Sequence, residues 1–200
     1  MRTLQTLEDL NVLYGEPVPL SLTKVAAHLT PKYRAWIEGS RFCILSTVGP
    51  DGVHGTPRGD DGAVVRVQDE KTLLMPDWWG NNRLDALRDI IHDPRVALLF
   101  LVPGSGTTVR VNGRAVLTDN EPLRESFRKK TRLPATVMVI DVDEVYTQCA
   151  KALIRSGIWG RDDSGTVPTV GQIMAEITEG REGGTEYDRT YVERAQPKLW

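Results

Sequence analysis

The sequence predicts a mainly β protein, an antiparallel barrel with peripheral helices, and three observations point there. Two hairpin patterns flank a short helix: Phe42–Val48 and Val53–Pro57 around Gly49-Pro50-Asp51-Gly52, then Val96–Val102 and Thr107–Leu117 around Pro103-Gly104-Ser105-Gly106. Turn formers between runs of strand formers are the signature of antiparallel pairs. Strands and helices do not alternate, which disfavours a parallel doubly wound sheet. No GxGxxG follows a strand and no GxxxxGK[ST] occurs, so neither a Rossmann nor a P-loop site is indicated.

The bounds set by composition agree. Two hundred residues suit a single domain, here read as a core over about 33–159 and a C-terminal extension over 160–200. The net charge of −2 offers no global basic field, and no basic stripe is interleaved with aromatics, so nucleic acid is not an expected partner. No apolar run reaches spanning length, and the first residues lack the basic-then-apolar order of a signal peptide. A soluble cytoplasmic protein without a membrane partner is the expectation. The cysteines are Cys43 and Cys149, without a CxxC pair, and His28, His54 and His92 are scattered, so no metal site is expected. Cys149 reads as a small packed residue. Ser46 and Ser156 lack a His partner at a recognisable spacing, which argues against a Ser-His-Asp hydrolase.

In chain order, Met1–Pro31 reads as an irregular lead-in with a short helix within Leu20–Leu29. Pro31–Gly39 is a helix capped by Thr30, with Pro31 at its first position. After the first hairpin comes the polar loop Arg58–Gly62, in which Asp60-Asp61 reads as a solvated turn. Strands follow at Ala63–Val67 and Lys71–Met75. Pro76, Asp77 and Gly80 then punctuate the chain before a helix whose apolar positions are Leu84, Leu87, Ile90 and Ile91. Asn81 or Asn82 is placed to cap it, and Pro94 ends it by biasing Asp93 away from helical geometry.

That helix start is the candidate site. Its unpaired N–H groups and positive dipole end suit an anion, Arg83 adds a forked donor, and Trp78 and Trp79 offer flat apolar surface to a ring. A phosphate-bearing aromatic cofactor is the ligand this pattern fits, against the simpler reading of a capped helix beside a tryptophan core. In Thr107–Leu117, Val109 and Val111 face one way and Arg110, Asn112 and Arg114 the other, while Gly113 marks a bulge or a close backbone approach. Glu121–Lys130 reads as a surface helix with Asn120 as cap. Ala135–Gln148 is a long strand with Met138, Ile140 and Val142 on one face. Within CAKALIRSGIW, Lys151, Arg155 and Trp159 share a face in either a helix or a strand. Thr169–Ile177 is an amphipathic helix, and the glycine-rich, charged tail to Trp200 reads as a loosely packed extension or an arm toward a partner subunit.

Three segments taken in order, FCILSTVGPDGVHGTPRGD, LLMPDWWGNNRLDALRDIIHDPRVALLFLVPG and VRVNGRAVL, resemble the pyridoxamine 5′-phosphate oxidase-like family of flavin-binding split β-barrels over roughly Tyr33 to Trp159. The resemblance implies a six-stranded antiparallel split barrel, a homodimer, and FMN at the subunit interface. It implies phosphate contacts from Asn81 and Arg83, which stand where family members carry a Ser-x-Lys pair, with Asn82 beside them. Arg58 becomes a second phosphate or ring contact. Met75, Pro76 and Asp77 become backbone borders of the isoalloxazine, with Trp78 and Trp79 packing there. Arg110, Asn112 and Arg114 would reach toward the other subunit's flavin, and Lys151, Arg155 and Trp159 would close the site. An oxidoreductase acting on a small molecule follows, with NAD(P)H or oxygen as redox partner. The oxidase's C-terminal substrate signature is absent, so pyridoxamine phosphate is not the implied substrate. A deazaflavin-dependent reductase, a haem-handling protein and a non-catalytic flavin binder are the alternatives on the same fold.

Overall fold

A computed structural model describes residues 1–200. Its centre is one antiparallel sheet of seven strands: β1 (Phe42–Gly49), β2 (Gly52–Gly59), β3 (Arg66–Val67), β4 (Thr72–Asp77), β5 (Arg95–Leu101), β6 (Thr108–Thr118) and β7 (Thr136–Gln148), in the spatial order β2-β1-β5-β6-β7-β4-β3. The two hairpins expected from the turn residues are β1–β2 and β5–β6, with Phe42 opposite Gly59 and Leu101 opposite Thr108. This is a split β-barrel with one strand more than six. The additional strand, β3, is only two residues long. Val64 and Val65 are both buried, so the segment from Ala63 does not alternate, and Val64 N–H bonds Ser40 instead of a neighbouring strand.

The curled sheet packs its inner side chains into a single core. Leu45, Leu98, Phe100, Val109, Val111, Met138 and Ile140 are fully buried there. The alternation expected for β6 holds: Val109 and Val111 are inside, and Arg114 is outside. Gly113 satisfies both of its sequence readings. Pairing slips between Asn112 and Gly113, so that Asp143 is the unpaired residue of β7. A side chain on Gly113 would run into the backbone carbonyl of Asp141. The bulge also shifts the phase of β7. Met138, Ile140 and Val142 point inward before it, and Val145 does so after it.

Helix α1 (Leu7–Tyr14) and α2 (Pro19–Thr23) precede the barrel, and α3 (Pro31–Glu38) covers one end of it. As expected, Thr30 caps α3 and Pro31 opens it; Ile37 of this helix is buried in the core. Helix α4 (Asp85–His92) lies between β4 and β5, and α5 (Glu121–Glu125) between β6 and β7. α5 stops well short of Lys130, because Lys129 and Arg132 pair across a tight turn. Asn120 does cap it, accepting a bond from Leu123 N–H. CAKALIRSGIW resolves as a helix, α6 (Lys151–Ser156), ended by Gly157 in the left-handed conformation. Cys149 is exposed at the turn into α6 instead of packed, because the barrel has already ended there.

The tail is better ordered than its composition implies. After α7 (Val170–Ile177), capped by Thr169 and Gln172 as a reciprocal box, α8 (Gly184–Ala195) folds back against it. Asp188 of α8 accepts bonds from Thr169 Oγ1 and Gly171 N–H at the start of α7. Arg132 then reaches the Pro197 carbonyl, and Lys129 lies 4.7 Å from the Trp200 ring, bringing the C-terminus back to the barrel.

Candidate functional site

The hydrogen-bonded sheet does not close. β2 is one edge, and beyond Leu74 the last residues of β4 have only β7 as a neighbour. An edge tolerates Pro76, which has no N–H to donate. Pro76 and Asp77, expected as turn residues, are therefore the end of β4. Across the split, Arg58 Nη1 of β2 donates to Asp77 Oδ1 of β4 at 2.5 Å. The Asp77 side chain is 8% exposed and the Arg58 side chain 21%, so the barrel is bridged here by a mostly buried ion pair where backbone bonds are missing.

A cavity of about 240 Å³ opens beside this pair, lined among others by Thr56, Arg58, Asp77, Trp78, Asn82 and Arg83. A second hollow, about 180 Å³, shares Arg58 and Trp78 and is bounded by Met75, Pro76 and Leu199. Two donors in these walls are sealed from water and have no partner, Arg58 Nε and Trp78 Nε1. A buried donor without an acceptor is costly, which marks this wall as one that a ligand acceptor would complete.

The turn from Trp78 to Leu84 forms the other wall. Asn81 does not cap α4. Its Oδ1 accepts from Arg83 N–H at 3.1 Å, closing an Asx turn one step earlier. The residue at the cap position is Leu84, left-handed at φ 61° and making no side-chain cap bond, and Asn82 is also left-handed at φ 59°. For leucine that conformation costs on the order of 1 kcal/mol. The first N–H groups of α4 are thus left without a side-chain cap. Arg83 Nε meanwhile donates to Asp85 Oδ2 at 2.6 Å on an exposed surface, so its guanidinium is shared with a carboxylate.

The buried face of α4 differs from the expected one. Leu87 is half-buried and Ile90 buried, but Leu84 and Ile91 are exposed; Ala86 and Asp89 are buried instead. Asp89 accepts from Thr47 Oγ1 at 2.6 Å and pairs with His54 Nδ1 at 2.7 Å. Burial pushes the Asp89 carboxyl up, but the bonds from Thr47 and His54 outweigh it and hold it below the ordinary carboxylate value. The bond to Asp89 raises His54 above its ordinary value, against its own partial burial. Sequence reasoning found no role for His54 or Asp89. Asp89 falls outside the apolar positions Leu84, Leu87, Ile90 and Ile91, so no local pattern marks it.

The expected site residues divide into three places. Arg58, Asp77, Trp78, Asn81, Asn82 and Arg83 meet around the larger cavity, and Met75 and Pro76 border the smaller one. Trp79 is exposed and lines neither. Arg110 and Asn112 lie elsewhere on the barrel: Arg110 Nη1 donates to Tyr146 Oη at 3.3 Å, and Asn112 Nδ2 donates to Glu144 Oε1 at 2.7 Å. Lys151 and Arg155 are exposed on α6, and Trp159 Nε1 donates to the Ser105 carbonyl at 2.7 Å at the β5–β6 turn. Within one chain these five do not join the cavity. Asp60 and Asp61, expected as a solvated turn, both pair with Lys129, and the Asp60 side chain is 7% exposed. Cys43, opposite Arg58 in the β1–β2 ladder, is pushed up to about 12 by burial, against the pull of Arg58, and is an inert thiol. No group of three or more His, Cys, Asp or Glu side chains could hold a metal ion, and no helix is long and apolar enough to cross a membrane.

Among curated proteins, none matches this chain. Solved structures resemble this chain at low identity. A single-residue variant of HupZ from Group A Streptococcus is 16% identical, with a TM-score of 0.51 over 60% of this chain and 99% of that one. A candidate pyridoxamine 5′-phosphate oxidase from Lactobacillus delbrueckii is 24% identical, with a TM-score of 0.48 over 60% and 95%. An FMN-binding protein from Syntrophomonas wolfei is 12% identical, with a TM-score of 0.43 over 57% and 86%. The model of the family described as pyridoxamine 5′-phosphate oxidase matches residues 29–149. That span is more than half of the chain and takes in all seven strands and the turn that carries Arg83, so the protein belongs to the pyridoxamine 5′-phosphate oxidase family.

Proposed function

We propose that the protein binds FMN in the cavity beside the barrel split and acts as an oxidoreductase on a small molecule, as a homodimer. The observation that carries this reading is the pair of sealed, partnerless donors, Arg58 Nε and Trp78 Nε1, on side chains that line the same cavity as a cationic turn. Acceptors on a flavin ring suit the two donors, and a phosphate suits the uncapped start of α4 with Arg83. The residues present therefore fit the group. Bound FMN would supply the hydride or electron chemistry. The chain's own part is positional: Arg58 and Trp78 orient the ring by hydrogen bonds, the half-buried Trp78 indole excludes water, and Asn81, Asn82 and Arg83 hold the anionic end. Small-molecule sites usually enclose about 300–1,000 Å³. The cavity of about 240 Å³ in one chain is below that, which supports completion by a second copy, with Arg110 from the partner barrel.

Purified protein given FMN and freed of excess should keep flavin absorbance, and anaerobic NADPH or NADH should bleach it. Loss of all flavin would remove FMN in favour of a deazaflavin or haem ligand, and retained flavin that no donor reduces would make the protein a non-catalytic binder. Arg83→Ala should weaken FMN binding by about 1.5 kcal/mol, the low end for a charge-assisted bond because Asp85 competes for the same guanidinium. Its fold should stay intact. Unchanged affinity by fluorescence titration would take Arg83 out of the site. Solution scattering should give a dimer, and Arg110→Ala should lower flavin affinity. A monomer that holds FMN stoichiometrically would refute the shared site.

A further inference from the structure

The geometry points to His54, Asp89 and Thr47 as a positioning clamp that locks α4 onto the β1–β2 hairpin and so sets the two walls of the candidate cofactor cavity against each other. The inference rests on the flavin reading only for its ligand readout. One wall, Thr56 and Arg58, is carried by β2, and the other, Asn81 to Leu87, by the turn into α4 and its first residues. No side-chain cap fixes where that helix begins. Its cap residue makes no side-chain bond, and both Asn82 and Leu84 are held left-handed. A strained turn of this kind persists only where its surroundings over-determine it.

Asp89 supplies that determination one turn into the helix, on the same face as Asp85. It is 4% exposed and is held by two bonds to two different strands, Thr47 of β1 and His54 of β2. An ionised carboxylate only accepts, so the His54 proton facing it is on Nδ1. Thr47 is itself buried, and Gly49, the last residue of β1, lies directly against the carboxylate; a methyl group there would occupy its place. Three residues, Thr47, Gly49 and His54, are thus committed to one buried charge at a position where an apolar side chain would pack without such partners. A buried charge of this kind defines a unique register better than it stabilises.

His54, Thr56 and Arg58 alternate onto one face of β2, so the clamp and the cavity are neighbours on the same strand. The charged groups around His54 are Asp85, Asp89 and Arg83, and His92 acts on Asp89 from the end of α4. On β6, Arg114 acts on Asp93, which Arg95 at the start of β5 pairs with directly. β1 contributes the neutral Thr47. His54 is raised above 6.5, so its charged bond to Asp89 is complete below that value and is lost as pH rises through the raised one. Asp89 is lowered below 3.8, so its part is present above that value and lost only in stronger acid. The clamp is tight between those limits and loosens on the alkaline side.

The test pairs amide hydrogen exchange of residues 79–85 in the flavin-free protein with FMN titration at pH values from below the ordinary histidine value of 6.5 to well above it. In Asp89→Asn and His54→Gln, exchange at 79–85 should accelerate while β5 and β6 stay protected, and FMN binding should weaken about tenfold, the effect of misplacing one charge-assisted bond. Wild-type affinity should fall with rising pH relative to His54→Gln, which shares the titration of the FMN phosphate near pH 6. Gly49→Ala keeps every titratable group, displaces the carboxylate, and should reproduce the loosened turn. Unchanged exchange at 79–85 in folded Asp89→Asn overturns the clamp whether or not flavin binds. Accelerated exchange in a protein that retains no FMN sustains the clamp and rejects the flavin reading alone. A His54→Gln profile that parallels the wild type removes His54 from it.

Discussion

Arg58→Ala should lower stability by about 3 kcal/mol, the low end of the cost of breaking a buried ion pair, and should abolish FMN retention. The Asp77 carboxylate, 8% exposed beside Arg58, would lose its cation at the point where the sheet has no backbone bonds to hold β2 against β4. For a chain of this length the loss corresponds to a fall in melting temperature of about 6–12 °C. The two effects separate in a double variant. Arg58→Met with Asp77→Leu replaces the pair by apolar side chains of similar size, which is often neutral for stability. It should recover most of the melting temperature and none of the flavin, because the sealed Nε donor is not restored. Wild-type melting in Arg58→Ala would show that the pair does not brace the split. Wild-type FMN affinity would show that Arg58 is not a ligand contact.

Gly113→Ala should cost about 2–3 kcal/mol, near the top of the range for forcing an extra methyl into a packed interior. The added carbon would meet the Asp141 carbonyl and the Val142 Cα, which are backbone atoms of a central strand and have no rotamer to escape into. Relief requires β6 and β7 to move apart or the bulge at Asn112 and Gly113 to be lost. Losing the bulge would turn Val145 out of the core, since a one-residue slip exchanges the faces of a strand. Chemical denaturation should show a lower midpoint with an unchanged slope. A midpoint equal to that of the wild type would mean that the bulge does not require glycine.

Both predictions depend on features that were only half visible in the chain. The strands, the two hairpins and the bulge at Gly113 were legible because they are local: turn formers and alternation act over a few residues. Thr30 and Asn120 are legible as caps for the same reason. The cap of α4 is not legible in the chain, because Asn81 makes an Asx turn that competes with capping. The tail has the composition of a loose extension, yet Asp188 of α8 accepts bonds from the start of α7, 17 and 19 residues away.

The sequence by itself determined the strand inventory, the antiparallel pairing and the family. Those follow from residue-level propensities and from the order of short motifs. Only the tertiary structure decided which cations face the cavity and which are already paired, that Arg58 bridges the split to Asp77, and that Asp89 fastens α4 through Thr47 and His54. Those are contacts between residues 19 to 42 positions apart, formed by the curl of the sheet and the docking of a helix, and no spacing rule along the chain encodes them.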